Sequence, residues 1–388
     1  MDVCALSKGK KLVHLDLKGA PPRINYLYEL IQLFADLGAN GILIEYEDMF
    51  PYEGELKILQ SKSHTPYSRE EITAIQDLAY SRGLEIIPLV QTFGHLEFVL
   101  KHSTFSKLRE VSYCLGTLNP HSQQGLTLIL EMLHQVMRLH PRSTVLHIGA
   151  DEVYMLGQGE ESKEWLSVPG HTIDKLFLSH ATKVAKGIRE TYPSLSVIMW
   201  DDMLRNMTSD TIKDSGLIGL VQPMLWDYSP DLDVAHSRSF TQEAQHKVME
   251  ALGTGTTEVG DVESLSQGCS RLYTGMKLAE LIVQLTAMLE SEDLRHFESN
   301  MYVRGWFSPY HRQQKTANPL FAQQIQKQAQ MIVETVELKV QEVRQEMNLL
   351  YPDLTVEEWV TQHVTPVLKP IQDLLMDIQT VLEDMGVC

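Results

Sequence analysis

The chain has 388 residues, of which 43% are hydrophobic, and a formal net charge of −18. This length suits one large domain with an extension, or two domains, and the apolar content allows a substantial core. The negative charge argues against binding to the phosphate backbone of nucleic acids. No apolar run approaches the ~18 residues of a membrane span, so no membrane contact is expected.

The cysteine pattern and the N-terminal sequence bear on the cellular compartment in which the protein is expected. Four cysteines lie far apart and match neither zinc-binding spacing nor a dense disulfide framework; they are Cys4, Cys114, Cys269 and Cys388. No secretory signal is recognised at the N-terminus. We therefore expect reduced thiols in a cytoplasmic or nuclear protein. There is no Gly-rich phosphate loop and no dinucleotide fingerprint, so no cofactor is expected.

Short apolar runs alternate with helical patterns over the first 230 residues. The runs predict six strands, at 11–17, 41–46, 84–90, 144–148, 196–200 and 217–221. The helical patterns cover 25–37, 68–82, 123–139, 173–190 and 209–213. Ser68 and Glu71 have the spacing of a capping box. Alternation of this kind predicts parallel strands joined by right-handed crossovers.

Polar or aromatic residues follow every one of these strands. They are Asp16, Lys18, Glu45, Glu47, Gln91, His95, Asp151, Glu152, Trp200, Asp201, Asp202, Trp226 and Asp227. An open doubly wound sheet would collect such residues near one switch point only. Their recurrence on the C-terminal side of all six strands predicts an α/β fold of the (β/α)8 TIM-barrel type, with its active site at that face.

Two adjacent carboxylates, Asp151 and Glu152, are the strongest catalytic candidates. They follow a buried apolar run, 144–148, and the small pair Gly149-Ala150. One alternative is that they cap the next helix and complement its dipole. Another is a metal site formed with His95, although the spacing is not diagnostic of a metal.

The pattern changes after Pro230. Helices are predicted at 240–252, 278–289, 321–350 and 356–386, the last interrupted at Pro366 and Pro370, and 253–268 reads as a loop. We therefore predict a catalytic domain at 11–236 and a C-terminal helical region at 240–388. The long helices would pack against the barrel or against a second subunit in a homodimer.

The strand-end motifs resemble glycoside hydrolase family 20, the β-N-acetylhexosaminidases. The matching pieces are His14–Gly19, Glu45–Asp48, Gln91–His95, His147–Glu152, Met199–Asp202, Trp226–Tyr228 and Tyr302–Tyr310. The most specific of them is the Asp-Glu pair that follows His-x-Gly. The resemblance implies hydrolysis of terminal β-linked N-acetylgalactosamine or N-acetylglucosamine from a glycoconjugate or oligosaccharide, with retention at the anomeric carbon.

The resemblance also implies roles for individual residues. The substrate's own acetamido oxygen would act as nucleophile, an exception to the usual two-carboxylate scheme. Asp151 would orient the acetamido group, and Glu152 would act as general acid and then base. His95, Asp16, Lys18, His147 and Asp202 are expected to bind the sugar or support the acids. Trp200 and Trp226 would wall the acetamido pocket, since aromatic faces suit a methyl group and a pyranose ring.

Several of these residues also have a purely structural interpretation. His95 would then be an ordinary loop residue, and His147, Trp200 and Trp226 would be core residues. Asp201 and Asp202 would cap the following helix. The acidic group Glu45, Glu47 and Asp48 would be a solvated rim.

The chain departs from the family in its strand count. A closed barrel needs eight strands, and two further units would take roughly 60 residues after Tyr228. The sequence runs instead almost directly into the 240–252 helical pattern. Two strands, and a tyrosine that holds the acetamido oxygen in relatives, are thus expected to be missing. The rival explanation is that divergent strands escape recognition, although 253–270 is too polar for a typical buried strand. The alternative function is therefore a catalytically silent variant that binds sugar or a partner, and a metal-dependent hydrolase or isomerase is a third hypothesis.

Overall fold

A computed structural model describes residues 10–226, 274–297 and 299–386. These residues form two compact units. One comprises residues 10–18 and 27–226, and the other comprises residues 19–26 and those from 274 onward. The predicted domain boundary between 236 and 240 lies outside the described residues, as do the predicted 240–252 helix and 253–268 loop.

The first unit contains a six-stranded parallel sheet whose strands lie side by side in chain order. The strands are β1 (Leu12–Asp16), β2 (Gly41–Glu45), β3 (Glu85–Leu89), β4 (Val145–His147), β5 (Ser196–Trp200) and β6 (Val221–Met224). Sequential order with parallel pairing is the topology of a (β/α)8-type barrel, and it confirms the predicted fold class. Among the described residues there is no seventh or eighth strand.

Helices connect the strands. They are α1 (Ile24–Asp36), α2 (Arg69–Ser81), α3 (Glu97–Leu100), α4 (Gln123–Leu139), α5 (Glu160–Leu166), α6 (Ile173–Thr191) and α7 (Ser209–Asp214), with short 3-10 turns at Glu47–Met49, Gly54–Leu59 and Ser103–Leu108. The capping box predicted from Ser68 and Glu71 is confirmed: Ser68 Oγ accepts from Glu71 N, and Glu71 Oε2 accepts from Ser68 N. This cap satisfies N–H groups that the first turn would leave unpaired.

The strand register assigns each residue to one face of the sheet. Val13, Ile42 and Ile86 lie on one face, and their neighbours along the strands lie on the other, because successive side chains alternate. The second face carries the apolar cluster Leu43, Ile87, Leu89 and Ile198. Near the carboxyl ends it also carries polar or aromatic residues; these are Asp16, Glu45, His147 and Trp200. The sheet thus has an apolar floor beneath a polar rim.

The predicted position of the sixth strand is wrong. The apolar run 217–221 suggested the strand, but β6 begins only at Val221. Leu217 is fully buried, yet Leu220 N donates to Leu217 O and Gly219 has a φ of 74°. The left-handed glycine makes the run a turn, so the burial of Leu217 does not reflect strand pairing.

The second unit is helical. Its helices are Thr274–Leu289, Glu292–Arg295, Met301–Trp306, Pro309–Gln314, Pro319–Leu350, Asp353–His363 and Thr365–Asp384. In the 32-residue helix Pro319–Leu350 the buried positions recur every three or four residues, from Ala322 to Leu350. This spacing places one continuous apolar stripe along the helix. Within the described residues no helix combines the length and apolar character that crossing a membrane requires.

The last predicted helix is divided differently from the prediction. The break lies at Val364, between Asp353–His363 and Thr365–Asp384, and Pro370 lies inside the second helix. Pro366 occupies the first turn, where a missing N–H costs nothing. Pro370 is only one turn further on and has no N–H to donate, so the single bond that is missing is the one to the carbonyl of Pro366 at the helix start, and the later turns keep their hydrogen bonds. The expected interruption at Pro370 is therefore wrong.

Candidate active site

A strained loop after β4 carries the two candidate carboxylates. Gly149, Ala150 and Glu152 have φ values of 62°, 66° and 44°, in the left-handed region that residues with a Cβ seldom adopt. The N–H of Gly149 donates to His147 Nδ1 over 2.9 Å and starts the turn. Such conformations persist only where surrounding structure fixes them, and they cluster at functional sites.

His95 bridges the two carboxylates. Its Nε2 lies 3.4 Å from Asp151 Oδ2 and 3.3 Å from Glu152 Oε2. The hydrogen bond to Asp151 raises the pKa of His95 to about 9, against the opposing effect of burial. Burial alone would raise the pKa of Asp151, but the bond and charge of His95 hold it below its ordinary value. At neutral pH the site therefore contains an imidazolium beside an ionised Asp151.

The free oxygen of Asp151 is the second feature of this pair. Oδ1 of Asp151 is buried and has no hydrogen-bond partner within the part of the chain that the structure describes. A buried acceptor without a donor costs free energy, since it has lost its bonds to water. Asp151 therefore keeps one acceptor oxygen that the described residues do not use.

Polar residues on neighbouring strands support the loop from beneath. Gln91 Nε2 donates to Glu45 Oε1 over 3.2 Å, and Ala150 N donates to Gln91 Oε1 over 3.3 Å. His14 Nε2 lies 3.2 Å from the other oxygen of Glu45. This chain of contacts links β1, β2 and the end of β3 to the loop after β4. Glu45 is 3% exposed, so the interpretation of the acidic group as a solvated rim is wrong for this residue.

Asp202 fixes the backbone of Glu152. Its Oδ2 accepts from Glu152 N over 2.9 Å, and its Oδ1 accepts from Trp226 Nε1 over 3.4 Å. Burial raises the pKa of Asp202, although the bond from the Glu152 N–H opposes the shift. The carboxylate after β5 thereby joins the loop after β4 to the aromatic residue after β6.

The neighbouring Asp201 has a different task. It is fully buried and receives two bonds from the Arg205 guanidinium, at 2.5 and 2.7 Å. Arg205 also donates to Trp226 O and lies over the Trp226 ring, 4.9 Å from its centroid. The capping interpretation of both aspartates is wrong, because the next helix, α7, begins at Ser209 with Thr208 as its cap.

Asp16 and Lys18 form a second charged group after β1. Lys18 Nζ lies 2.9 Å from Glu47 Oε1 and 3.3 Å from Asp16 Oδ2. Burial would lower the pKa of Lys18, but Glu47 and Asp16 outweigh it, so the net shift is upward and the ammonium stays charged. Glu47 is 8% exposed, which also makes the rim interpretation wrong for it.

His147 and Trp200 lie lower, on the barrel face of the sheet. Their ring centroids are 4.4 Å apart, and the His147 ring is fully buried. Burial lowers the pKa of His147 to about 3, so the ring is neutral. His147 accepts from Gly149 N at Nδ1, which assigns its proton to Nε2. The residue shapes the floor of the site and the turn above it.

The structure thus brings His95 and Asp202 together with Asp151 and Glu152 by direct contact, and it links Trp226 through Asp202. The capping interpretation of the acidic pair is wrong: residues 151–159 are irregular, and α5 begins at Glu160 with Gly159 as its cap. Sequence reasoning missed the parts played by Glu45 and Arg205. Arg205 stands four residues after Asp201. In a helical turn this spacing brings the two side chains together, so it was the one signal in the sequence for this ion pair.

The sequence matches a family model described as the catalytic domain of glycosyl hydrolase family 20 over residues 42–231. Hexosaminidase D of Homo sapiens is 38% identical over 465 aligned positions, covering 96% of this chain and 94% of that protein. Hexosaminidase D of Bos taurus is 52% identical over 237 residues, which cover 61% of this chain and 68% of that protein. These similarities confirm the resemblance predicted from the strand-end motifs.

A solved structure shares the fold. The β-N-acetylhexosaminidase of Bacteroides fragilis NCTC 9343 superimposes with a TM-score of 0.51 at 15% identity, over 64% of this chain and 50% of that chain. The human alignment runs over 465 positions whereas this chain has 388 residues, so at least 77 aligned positions of the relative have no counterpart here. The strand-end carboxylates, the parallel sheet and the near full-length similarity lead to one conclusion: the chain belongs to glycosyl hydrolase family 20.

Proposed function

We propose that this chain is an exo-acting β-N-acetylhexosaminidase that removes terminal β-linked N-acetylgalactosamine or N-acetylglucosamine with retention. The observation that carries the proposal is the pairing of two adjacent carboxylates with different surroundings. Asp151 is ionised beside His95 and keeps a buried, unpartnered oxygen. Glu152 is more exposed, at 36% of its side chain against 17% for Asp151.

In the first step, the acetamido oxygen of the substrate attacks the anomeric carbon. The Asp151 carboxylate accepts the acetamido N–H and stabilises the positive charge that develops on the oxazolinium ring. The Glu152 carboxyl donates its proton to the glycosidic oxygen as the bond to the aglycone breaks. In the second step, the Glu152 carboxylate takes a proton from water, which attacks the anomeric carbon and restores the acetamido group.

His95 and Asp202 serve these two acids. The imidazolium of His95 keeps Asp151 ionised and contacts the Glu152 carboxylate. Asp202 holds the Glu152 backbone through its N–H. Asp16 and Lys18 offer an acceptor and a donor to ring hydroxyls, while Trp200 and Trp226 offer aromatic faces to the acetamido methyl.

The test uses 4-nitrophenyl glycosides of N-acetyl-β-galactosamine and N-acetyl-β-glucosamine. Glu152→Gln should reduce kcat by about 10²–10⁴-fold, and Asp151→Asn by about 10²–10³-fold. Glu53→Gln, a change at an exposed carboxylate, serves as the matched control and should leave kcat unchanged. Absence of turnover by folded, monodisperse wild-type protein would overturn the proposal.

Two further measurements address the mechanism. Fluorination of the N-acetyl methyl withdraws electrons from the acetamido oxygen, so kcat should fall with each added fluorine if that oxygen is the nucleophile. A kcat that does not change with fluorination would exclude the acetamido oxygen as nucleophile. A chelator should leave the activity intact, whereas loss of activity with chelator would favour the metal-dependent hypothesis.

A catalytically silent sugar-binding form is the second candidate function. The observation that favours it is the sheet of six strands in the described residues, together with at least 77 positions of human Hexosaminidase D that have no counterpart here. This candidate predicts binding of N-acetylgalactosamine in titration calorimetry without hydrolysis of any glycoside. Cytoplasmic or nuclear location and a homodimer stay predictions.

A further inference from the structure

An exposed apolar patch flanks Glu152. We define the Tyr113 patch as four side chains on two neighbouring loops. They are Tyr113, Leu115, Tyr154 and Met155, with exposed fractions of 74%, 37%, 59% and 47%. Large exposed apolar groups scattered singly need no explanation, but a cluster of them beside a polar site is typical of a binding surface.

Direct contacts join the two loops. The hydroxyl of Tyr113 lies 4.0 Å from Met155 Sδ. The hydroxyl of Thr117 donates to Tyr154 O, and the Tyr113 loop is closed by the bridge between Arg109 and Leu118. The patch therefore combines residues that precede α4 with residues that follow β4.

A buried carboxylate anchors the Met155 side of the patch. Oε1 of Glu110 accepts from Gly157 N over 2.9 Å and from Gly159 N over 3.0 Å. Met155 itself has a φ of 62°, a conformation that costs free energy for a residue with a long side chain. The fold thus holds Met155 in a strained conformation that leaves its side chain in solvent, which packing alone would not favour.

The patch begins at the proton donor of the proposed reaction. Tyr154 N donates to Glu152 O over 2.7 Å, and the hydroxyl of Tyr154 interacts with the Glu152 carboxylate. The carboxyl of Glu152 must reach the glycosidic oxygen, so the aglycone leaves from within hydrogen-bonding distance of Glu152. Whatever borders Glu152 on its solvent side therefore borders the aglycone.

We propose that the Tyr113 patch is an aglycone subsite that accepts a ring with a flat apolar face, either an aryl group or a second pyranose. This inference rests on the proposed function and names the class of leaving group. Tyrosine rings and a thioether offer dispersion contact and ring stacking without hydrogen-bond selectivity. The subsite should therefore favour flat aglycones over small ones and tolerate different ring chemistries.

The experiment compares three substrates of the same glycone: the 4-nitrophenyl glycoside, a β-linked disaccharide and the methyl glycoside. Tyr113→Ala and Met155→Ala should each lower kcat/KM about 3- to 10-fold for the 4-nitrophenyl glycoside. They should leave kcat/KM for the methyl glycoside unchanged, because a methyl group does not reach the patch. Ratios of variant to wild type remove the intrinsic difference between the leaving groups.

Two variants serve as controls. Tyr113→Phe keeps the ring and should retain the aryl preference. Tyr310→Ala removes a tyrosine of similar exposure, 68%, from the helical unit and should change none of the three values. A loss for the disaccharide equal to that for the aryl glycoside shows that the patch accepts both ring types, whereas a loss for the aryl glycoside alone restricts it to aryl groups.

An equal loss on all three substrates would overturn the subsite, since the patch would then act on the stability of the loop. Calorimetric affinities of the methyl and 4-nitrophenyl glycosides give the same comparison without turnover. Failure of wild-type hydrolysis with a tighter-binding aryl glycoside would count against the proposed function and support the subsite. Equal affinities for both glycosides in wild-type protein would overturn the subsite.

Discussion

Gly94 lies directly against the backbone of Asp151: a Cβ on Gly94 would stand 2.2 Å from the Asp151 carbonyl oxygen. The loop after β3 and the loop after β4 therefore approach at a distance that only glycine allows. His95, the next residue, gains its position over the two carboxylates from this contact. The geometry of the acidic pair thus depends on a residue with no side chain.

Gly94→Ala tests this contact. Because the clashing atom is a backbone oxygen, the loop itself must move, and we expect a loss of about 1–3 kcal/mol in the free energy of unfolding. Activity should fall further than stability explains, since His95 and Asp151 move apart. Denaturant titration and kcat on the 4-nitrophenyl glycoside measure the two effects. Gly305→Ala is the matched control, since a Cβ there meets no atom within 4 Å and Gly305 lies in a helix.

His95→Gln should remove a pH-dependent part of the stability. The pKa of His95 rises from 6.5 to about 9 on folding, so the folded chain holds this proton more tightly than the unfolded chain. The contribution is complete below pH 6.5, while Asp151 is ionised, and it is lost as the pH rises through 9. Unfolding free energies of wild type and His95→Gln should therefore differ most near pH 6 and converge above pH 9. A gap that widens with pH would contradict this assignment, and His296→Gln provides an exposed control.

Asp201→Asn should be strongly destabilising. The carboxylate is fully buried and receives two bonds from Arg205, so removing its charge leaves the guanidinium without a counter-ion. Loss of one partner from a buried ion pair costs about 3–5 kcal/mol. The exposed pair of Arg69 and Glu53 should show the opposite behaviour, with Arg69→Gln costing less than about 1 kcal/mol. If denaturant titration gave similar losses in the free energy of unfolding for Asp201→Asn and Arg69→Gln, the proposed difference between the buried and the exposed ion pair would be wrong.

The two outer strands of the described sheet predict self-association. Within the described part of the chain, β1 and β6 each pair with one neighbour only. Unpaired edge groups template pairing with another chain, so light scattering should detect association that rises with concentration in the micromolar range. Gln222→Lys places a charge on β6 and should reduce it, whereas Gln362→Lys, in a helix, should not. A strictly monomeric wild type would count against edge pairing.

Several features of this fold are specified by residues that lie close together in the chain. Alternation of apolar runs and helical patterns predicted the strands, the capping box of Ser68 and the helices at 123–139 and 173–190. Local chemistry suffices for these features, since periodicity and end signals are carried by residues close together in the chain. The same reasoning failed at 217–221, where a glycine turn buries Leu217 but leaves Ile218 exposed, and no strand forms before Val221.

Tertiary structure alone decided which polar residues act together. The sequence placed Glu45, Gln91 and Asp201 at strand ends, but their partners, His14, Ala150 and Arg205, follow from strand register and loop packing. The sequence by itself determined that acidic side chains gather at one edge of a parallel sheet. Their burial, their protonation and the free oxygen of Asp151 were set by contacts between loops far apart in the chain, because desolvation and charge pairing depend on spatial neighbours.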